Sequence, residues 1–264
     1  IQCNDTNFTS CTSTKAGGAI YLFNSYPFLN SMTIGNNHFN GNTAQYGGAL
    51  YIYSVSSLNL VTVAYCNFEN NHATAAVSTT AKYGGSGAFI TARSSIILNN
   101  HFSDNQGPGP DLRIYNRYST TLNDQPIKNA NLGHIIISNC MFEIGKNSQS
   151  SLFYDHGNDV PSIELVDCEF SGNLAPGSHF IDGHAPTNNN SPKLAVKGCK
   201  FDSNVKDALN LDPNNSFMTV DLKDQIFSIK TDETTMNKKQ NDASKIFVTV
   251  AASAVAVLVV LVLV

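Results

Sequence analysis

Short runs in which apolar and polar residues alternate, such as Leu58-Asn59-Leu60-Val61-Thr62-Val63 and Ile135-Ile136-Ile137-Ser138-Asn139-Cys140, are separated along the chain by clusters of Gly and Asn. Alternation with period two puts successive side chains on opposite faces of a strand, and Gly or Asn between the runs supplies the positive φ of a tight turn. A longer phase is superimposed on this one. The pattern Phe-x-x-Asn, a short gap, then Gly-Gly-Ala-Leu-Tyr-Ile is cleanest at Phe39 to Asn42 followed by Gly47 to Ile52. Phe8 leads to Gly17-Gly18-Ala19-Ile20, Phe68 to Gly84-Gly85-Ser86-Gly87-Ala88, and Phe102 to a decayed Gly109-Pro110-Asp111-Leu112-Arg113-Ile114. Phe142, Phe170 and Phe201 precede Leu152-Phe153-Tyr154, His179-Phe180-Ile181 and Leu209-Asn210-Leu211. The seven Phe anchors thus recur with a nearly constant phase, widest between Phe68 and Phe102 and between Phe102 and Phe142. Asn42, Asn71, Asn105, Asn173 and Asn204 stand three residues after an anchor, and Asn37, Cys66, Asn100, Cys140, Cys168 and Cys199 stand two before one.

A phase of this length predicts a solenoid, in which each coil lays its strands over those of the coil before at about 4.8 Å. Equivalent residues then form files along the stack: Phe an internal aromatic file, Asn a ladder of turn side chains that satisfy buried backbone groups and one another. The 32 Asn, twice the 16 Lys plus Arg, fit such ladders. A β-sandwich would carry turn signals every 8–12 residues or so but has no reason for the longer phase. The two widest spacings come from excursions at Ala73 to Tyr83 and Gly107 to Leu132, read as surface loops and candidate contact sites.

The Gly-Gly-Ala-Ile-type tetrapeptide together with Phe-x-x-Asn resembles the repeat of the polymorphic outer-membrane protein family over residues 1–212, strongly in the first three copies and loosely in the last three. The resemblance implies a right-handed parallel β-helix, a pectin-lyase-like solenoid, and a surface-exposed adhesin or antigen. Bacterial members end in a membrane β-barrel, whereas this chain ends in an apolar run, a departure that favours a eukaryotic cell surface.

That run, Phe247 to Val264, holds no charge. As a helix, residues 246–264 would extend about 28 Å, close to the thickness of a bilayer core. The expected organisation is therefore a repeat domain over 1–227, a polar stalk over 228–245, and a transmembrane helix or hydrophobic anchor signal over 246–264. Lys238, Lys239 and Lys245 flank the run on its N-terminal side only, so charge does not orient it. A glycolipid-anchor signal, cleaved near Thr234 or Asn237, is the alternative. The chain opens at Ile1 without Met or leader, as a fragment or processed product would, and the missing signal peptide is uninformative.

Composition narrows the partners. Only 14% of residues are charged, the net charge is −4, and Lys and Arg are dispersed, so nucleic acid is not an expected partner. An extracellular protein or glycan is. N-glycosylation acceptor patterns begin at Asn4, Asn7, Asn189 and Asn214, although Pro192 weakens the third and the core anchor Phe8 the second. Six cysteines are too few for a disulfide scaffold, and Cys66, Cys140, Cys168 and Cys199 share a strand face with Phe, which predicts buried thiols. A strained disulfide between neighbouring coils, or a pair between Cys3 and Cys11, remains open. No CxxC is present, and no cofactor is expected.

One constellation carries candidate chemistry. Asp155, Asp182 and Asp212 each fall just after the strand that follows Phe142, Phe170 and Phe201 respectively, at nearly the same distance from the anchor, with His156 and His184 beside the first two. Carboxylates on one edge of successive coils would raise one another's pKa and could form the acid and base of a carbohydrate-active enzyme, or hold calcium. The motifs of polygalacturonase-like enzymes are absent, the nearest approach being Asp182-Gly183-His184-Ala185, and there is no Trp for a sugar platform, which leaves Tyr154. Asp also simply favours turns after strands. A binding role therefore ranks above catalysis.

Overall fold

The computed structural model describes residues 1–24, 31–54, 60–75, 84–115, 121–122, 125–126, 134–145, 148, 150–155, 162–184, 193–203, 208–210, 219–223 and 226–227. It is a parallel β-solenoid built on three sheets, each gathering one strand from each successive coil. Sheet 1 contains Gln2–Asn4, Ser31–Gly35, Leu60–Ala64, Ser94–Leu98, His134–Ser138, Ser162–Val166, Lys193–Lys197 and Thr219–Lys223. Sheet 2 contains Asn7–Thr9, His38–Asn40, Asn67–Glu69, His101–Ser103, Met141–Glu143, Glu169–Ser171, Lys200–Phe201 and Ile226–Phe227. Sheet 3 contains Ile20–Asn24, Leu50–Ser54, Ala88–Thr91, Leu112–Tyr115, Ser150–Asp155, His179–His184 and Leu209–Asn210.

Sheets 1 and 2 are joined by a single sharp corner. Its first residue has positive φ in every coil from Asp5 to Gly198: Asp5, Asn36, Tyr65, Asn99, Asn139, Asp167 and Gly198. Six of these seven are Asn, Asp or Gly, the residues that tolerate left-handed backbone at least cost. The next residue along, Asn37, Cys66, Asn100, Cys140, Cys168 or Cys199, is buried. The strand of sheet 2 follows with its Phe pointing inward, and those rings form one file. Centroids from Phe8 through Phe39, Phe68, Phe102, Phe142 and Phe170 to Phe201 lie 4.7–5.1 Å apart with planes within 9° of parallel. Phe39, Phe68, Phe102, Phe142 and Phe170 are wholly buried.

Beside the Phe file runs the Asn ladder. Asn42 donates from Nδ2 to Asn71 Oδ1 at 2.9 Å, and Asn71 from Nδ2 to Asn105 Oδ1 at 3.0 Å. Each amide also donates back to the preceding Phe carbonyl, those of Phe8, Phe39 and Phe68. The position equivalent to Asn105 in the next coil is Gly145, where a Cβ would lie 1.9 Å from the Asn105 carbonyl oxygen, and Ser148 Oγ donates to that oxygen instead. All six cysteines are free thiols, four of them buried. Burial pushes the Cys66 thiol up to about 11, and the thiols of Cys168 and Cys199 are also held up, each by hydrogen bonding to the neighbouring cysteine and by burial.

Two stretches read as loops begin as core. His72–Ala73 pairs with Thr43–Ala44, and Leu112–Tyr115 is a full member of sheet 3. Leu112 and Ile114 align with Ala88 and Ile90 and point inward, which keeps the strand in place although its Gly-Gly signature has decayed. Thr121–Leu122 and Gln125–Pro126 pair antiparallel within the second excursion. By internal contacts the chain divides into Ile1–Ser228 and Ile229–Val264; the second unit, with the expected membrane segment 246–264 and most of the expected stalk, lies outside the described residues. Among the described residues no helix is long and apolar enough to cross a membrane.

Candidate functional site

The carboxylate edge expected in sheet 3 takes a different form. Phe142 pairs with Phe170, but Ser150 pairs with His179 rather than with Ser178, because the turn before the later strand is one residue longer. Asp155 consequently falls beside His184, while Asp182 falls beside Phe153 and Asn210. Asp155 and Asp182 are thus two residues out of step and do not make a shared column, which corrects the count taken from the Phe anchors. His156 and Asp212 lie outside the described residues, as do the acceptor positions Asn189 and Asn214. Asn4 and Asn7 are exposed, on strands of sheets 1 and 2. Among the described residues no group of three or more His, Cys, Asp or Glu is placed to hold a metal, so the calcium reading gains no described ligand set.

The outer face of sheet 3 carries aromatic residues in two columns. Tyr21 stacks on Tyr51 and Phe23 on Tyr53, each pair at 5.3 Å, and Tyr51 stacks on Phe89 at 4.9 Å. Tyr21 and Phe23 are more than half exposed, whereas Phe89 is buried. Partial burial, with help from Tyr21, Tyr53 and Tyr46, pushes the Tyr51 hydroxyl up to about 12. In the next coil Arg113 takes the column position and holds its guanidinium 5.8 Å from the Phe89 ring centre, a cation–π contact in a buried setting. Within each column the rings face one another along the stack.

A second surface feature has the shape of a site. An open groove of about 400 Å³ runs along the corner between sheets 1 and 2 across the first three coils. One wall is the corner column Asp5, Asn36 and Tyr65. The other is the column Asn7, His38 and Asn67, which begins the strands of sheet 2 and stands in register coil by coil. Asn36 Nδ2 donates to Asp5 Oδ1 at 2.5 Å, fixing the top of the first wall. Beneath, Asn37 is committed to the interior, accepting from Thr6 N and donating to the Cys3 carbonyl. Glu69 reaches His38 Nε2 at 3.9 Å from outside the groove. Among the described residues the shielded Oδ1 of Asn67 has no hydrogen-bond partner.

Tyr65 stands out within its own column. Its φ is 57° and it is 60% exposed, the largest exposure among the big apolar side chains of the described residues. An aromatic residue in left-handed backbone is a strained choice where neighbouring coils use Asn, and such strain collects at functional positions. Of the groove residues the sequence singles out only Asn7, as a glycosylation acceptor, and Asn37, as an inward ladder position; neither was read as part of a groove. A signal existed: alignment of the residue just before the inward Cys or Asn gives Asn36, Tyr65, Asn99, Asn139, Asp167 and Gly198, with Tyr65 the one discordant member.

The fold and the groove define a parallel β-solenoid with a polar surface cleft. Compared with models of known protein families, with curated proteins and with solved structures, the chain matches none.

Proposed function

We propose that this chain is a cell-surface recognition protein: a right-handed parallel β-helix, held to a membrane through residues 246–264, that displays its faces for adhesion or antigenic presentation. The observation that carries the reading is the in-register stacking of side chains over coil after coil, which makes a stiff platform whose outer columns present extended surface to a ligand. The uncharged apolar run and the resemblance of the Gly-Gly-Ala and Phe-x-x-Asn motifs to polymorphic outer-membrane protein repeats support it. Attachment is by a single-pass helix or by a glycolipid that replaces the tail.

Expression in eukaryotic cells, behind an added secretory signal peptide, tests this. Surface labelling of intact cells, retention in membranes after alkaline extraction, and release of the repeat domain to the medium on deletion of residues 246–264 are expected. Release of the protein to the medium with residues 246–264 intact, or its loss from membranes on alkaline extraction, would overturn the reading. A second reading, a carbohydrate-active enzyme, rests on the juxtaposition of Asp155 and His184. Turnover of a glycan panel that disappears in Asp155→Asn would put catalysis first.

A further inference from the structure

We infer that the groove between the corner column and the first strands of sheet 2 is a binding site for a neutral sugar residue, with Tyr65 as its stacking platform. This inference rests on the recognition reading above and names its ligand class. Four observations converge on it.

The first is the chemistry of the walls. Asn7, Asn36 and Asn67 offer amides, Asp5 a carboxylate and His38 an imidazole. Together these groups both donate and accept, as the vicinal hydroxyls of a pyranose require. The second is Tyr65 itself. No other ring among the described residues stacks on it, and it is mostly exposed, so it has ring surface available for the apolar face of a sugar. The third is the Asn67 amide, which lines the groove and whose Oδ1 is shielded and without a partner among the described residues; rotation of the amide would turn that acceptor toward a ligand hydroxyl. The fourth is size and charge. At about 400 Å³ the groove falls within the range of small-molecule clefts. Its lining includes Asp5 and no Lys or Arg, with Glu69 close behind His38, so a uronic or sialic acid would meet like charge and no cation.

The same geometry explains the strain. Asn at position 65 would relieve it, as at Asn36 and Asn99, but would remove the platform.

Asn7 is also a potential N-glycosylation acceptor, and a glycan attached there would cover the groove. The test therefore uses the full chain, purified in detergent, carrying Thr9→Val, which abolishes that acceptor pattern without altering a groove residue. Binding is measured by calorimetry and ligand-observed NMR with neutral tetrasaccharides of β-glucan, α-mannan and β-galactan, and with tetragalacturonate as the acidic probe. At least one neutral tetrasaccharide is expected to bind and tetragalacturonate is not. Tyr65→Asn should weaken that binding by about tenfold or more while raising the melting temperature. Asn67→Ala should weaken it without loss of stability, since its acceptor has no partner in the free protein. Binding of tetragalacturonate alone, binding of none of the four, or neutral binding unchanged by Tyr65→Asn would each overturn the inference. Failure here with surface display intact would leave the recognition reading standing, whereas sugar binding by a protein that membranes do not retain would do the reverse.

Discussion

At the scale of single residues, the least comfortable side chain in the core is Asp111. It occupies the inward position held by Ala49 and Gly87 in the coils before it and is wholly buried. Burial pushes its carboxyl well above the usual range; neither oxygen accepts a hydrogen bond among the described residues, the nearby Asn105 amide and Ser86 hydroxyl offset only part of the burial, and the Asp104 carboxylate adds to it. With the folded-state pKa raised, the native state binds more protons than the unfolded chain between the two values. Stability is therefore greatest at pH below about 4 and falls as pH rises toward the folded pKa. Asp111→Asn should remove that slope and add about 1–3 kcal/mol at neutral pH, with the two proteins converging in acid. Urea titrations at several pH values check this. Tyr65→Asn makes a complementary prediction by a different route: relief of left-handed backbone should stabilise the fold by about 1 kcal/mol in the same titrations.

At the scale of the repeating coil, the Asn ladder is the most exacting element. Asn71 alone accepts from Asn42 N and Nδ2 and donates to the Phe39 carbonyl and to Asn105 Oδ1, all within the core. Asn71→Ala should cost about 3–5 kcal/mol, because it removes four bonds of about 1 kcal/mol each and strands buried partners. Phe102→Ala should cost a similar amount, about 3–5 kcal/mol, by opening a hole in the ring file. Denaturant midpoints measure both. These two ladders were legible in the sequence for a simple reason: a residue stacked on its own kind must recur with the coil, so Phe39, Phe68 and Phe102 and their Asn partners announce themselves. The register of sheet 3 was less legible, because a turn lengthened by one residue before His179 shifts everything after it and leaves no mark in a count from Phe170. The groove was not read at all. Its walls come from three coils, and its distinguishing member, Tyr65, departs from the repeat where the search was for agreement with it. Arg113 was missed likewise, since only the stack below it shows that a guanidinium has replaced a ring.

At the scale of the repeat unit Ile1–Ser228, each coil bonds to the coils before and after it, so protection of a residue depends on what lies on both sides. The thiols report this directly. Cys3 and Cys11 are half-buried, and Cys66, Cys140, Cys168 and Cys199 are buried. Alkylation of the native protein, followed site by site by mass spectrometry, should modify Cys3 and Cys11 first and reach the other four only at denaturant concentrations that unfold the stack. Raised pKa at Cys66 and Cys168 adds to that protection by keeping the thiol in its less nucleophilic form.

The file of Asn amides has a direction. Asn42 donates to Asn71 and Asn71 to Asn105, never the reverse, so the small dipoles add head to tail and the file is an electrically polar wire beside the apolar Phe file. Its positive pole ends at Asn105, where the repeat lapses to Gly145 and the buried Asp111 carboxyl lies nearby without a hydrogen bond of its own among the described residues. The acid that looks misplaced in the core sits where such a wire would terminate, and its ionisation should be felt as a change in amide proton chemical shifts relayed back through Asn71 to Asn42.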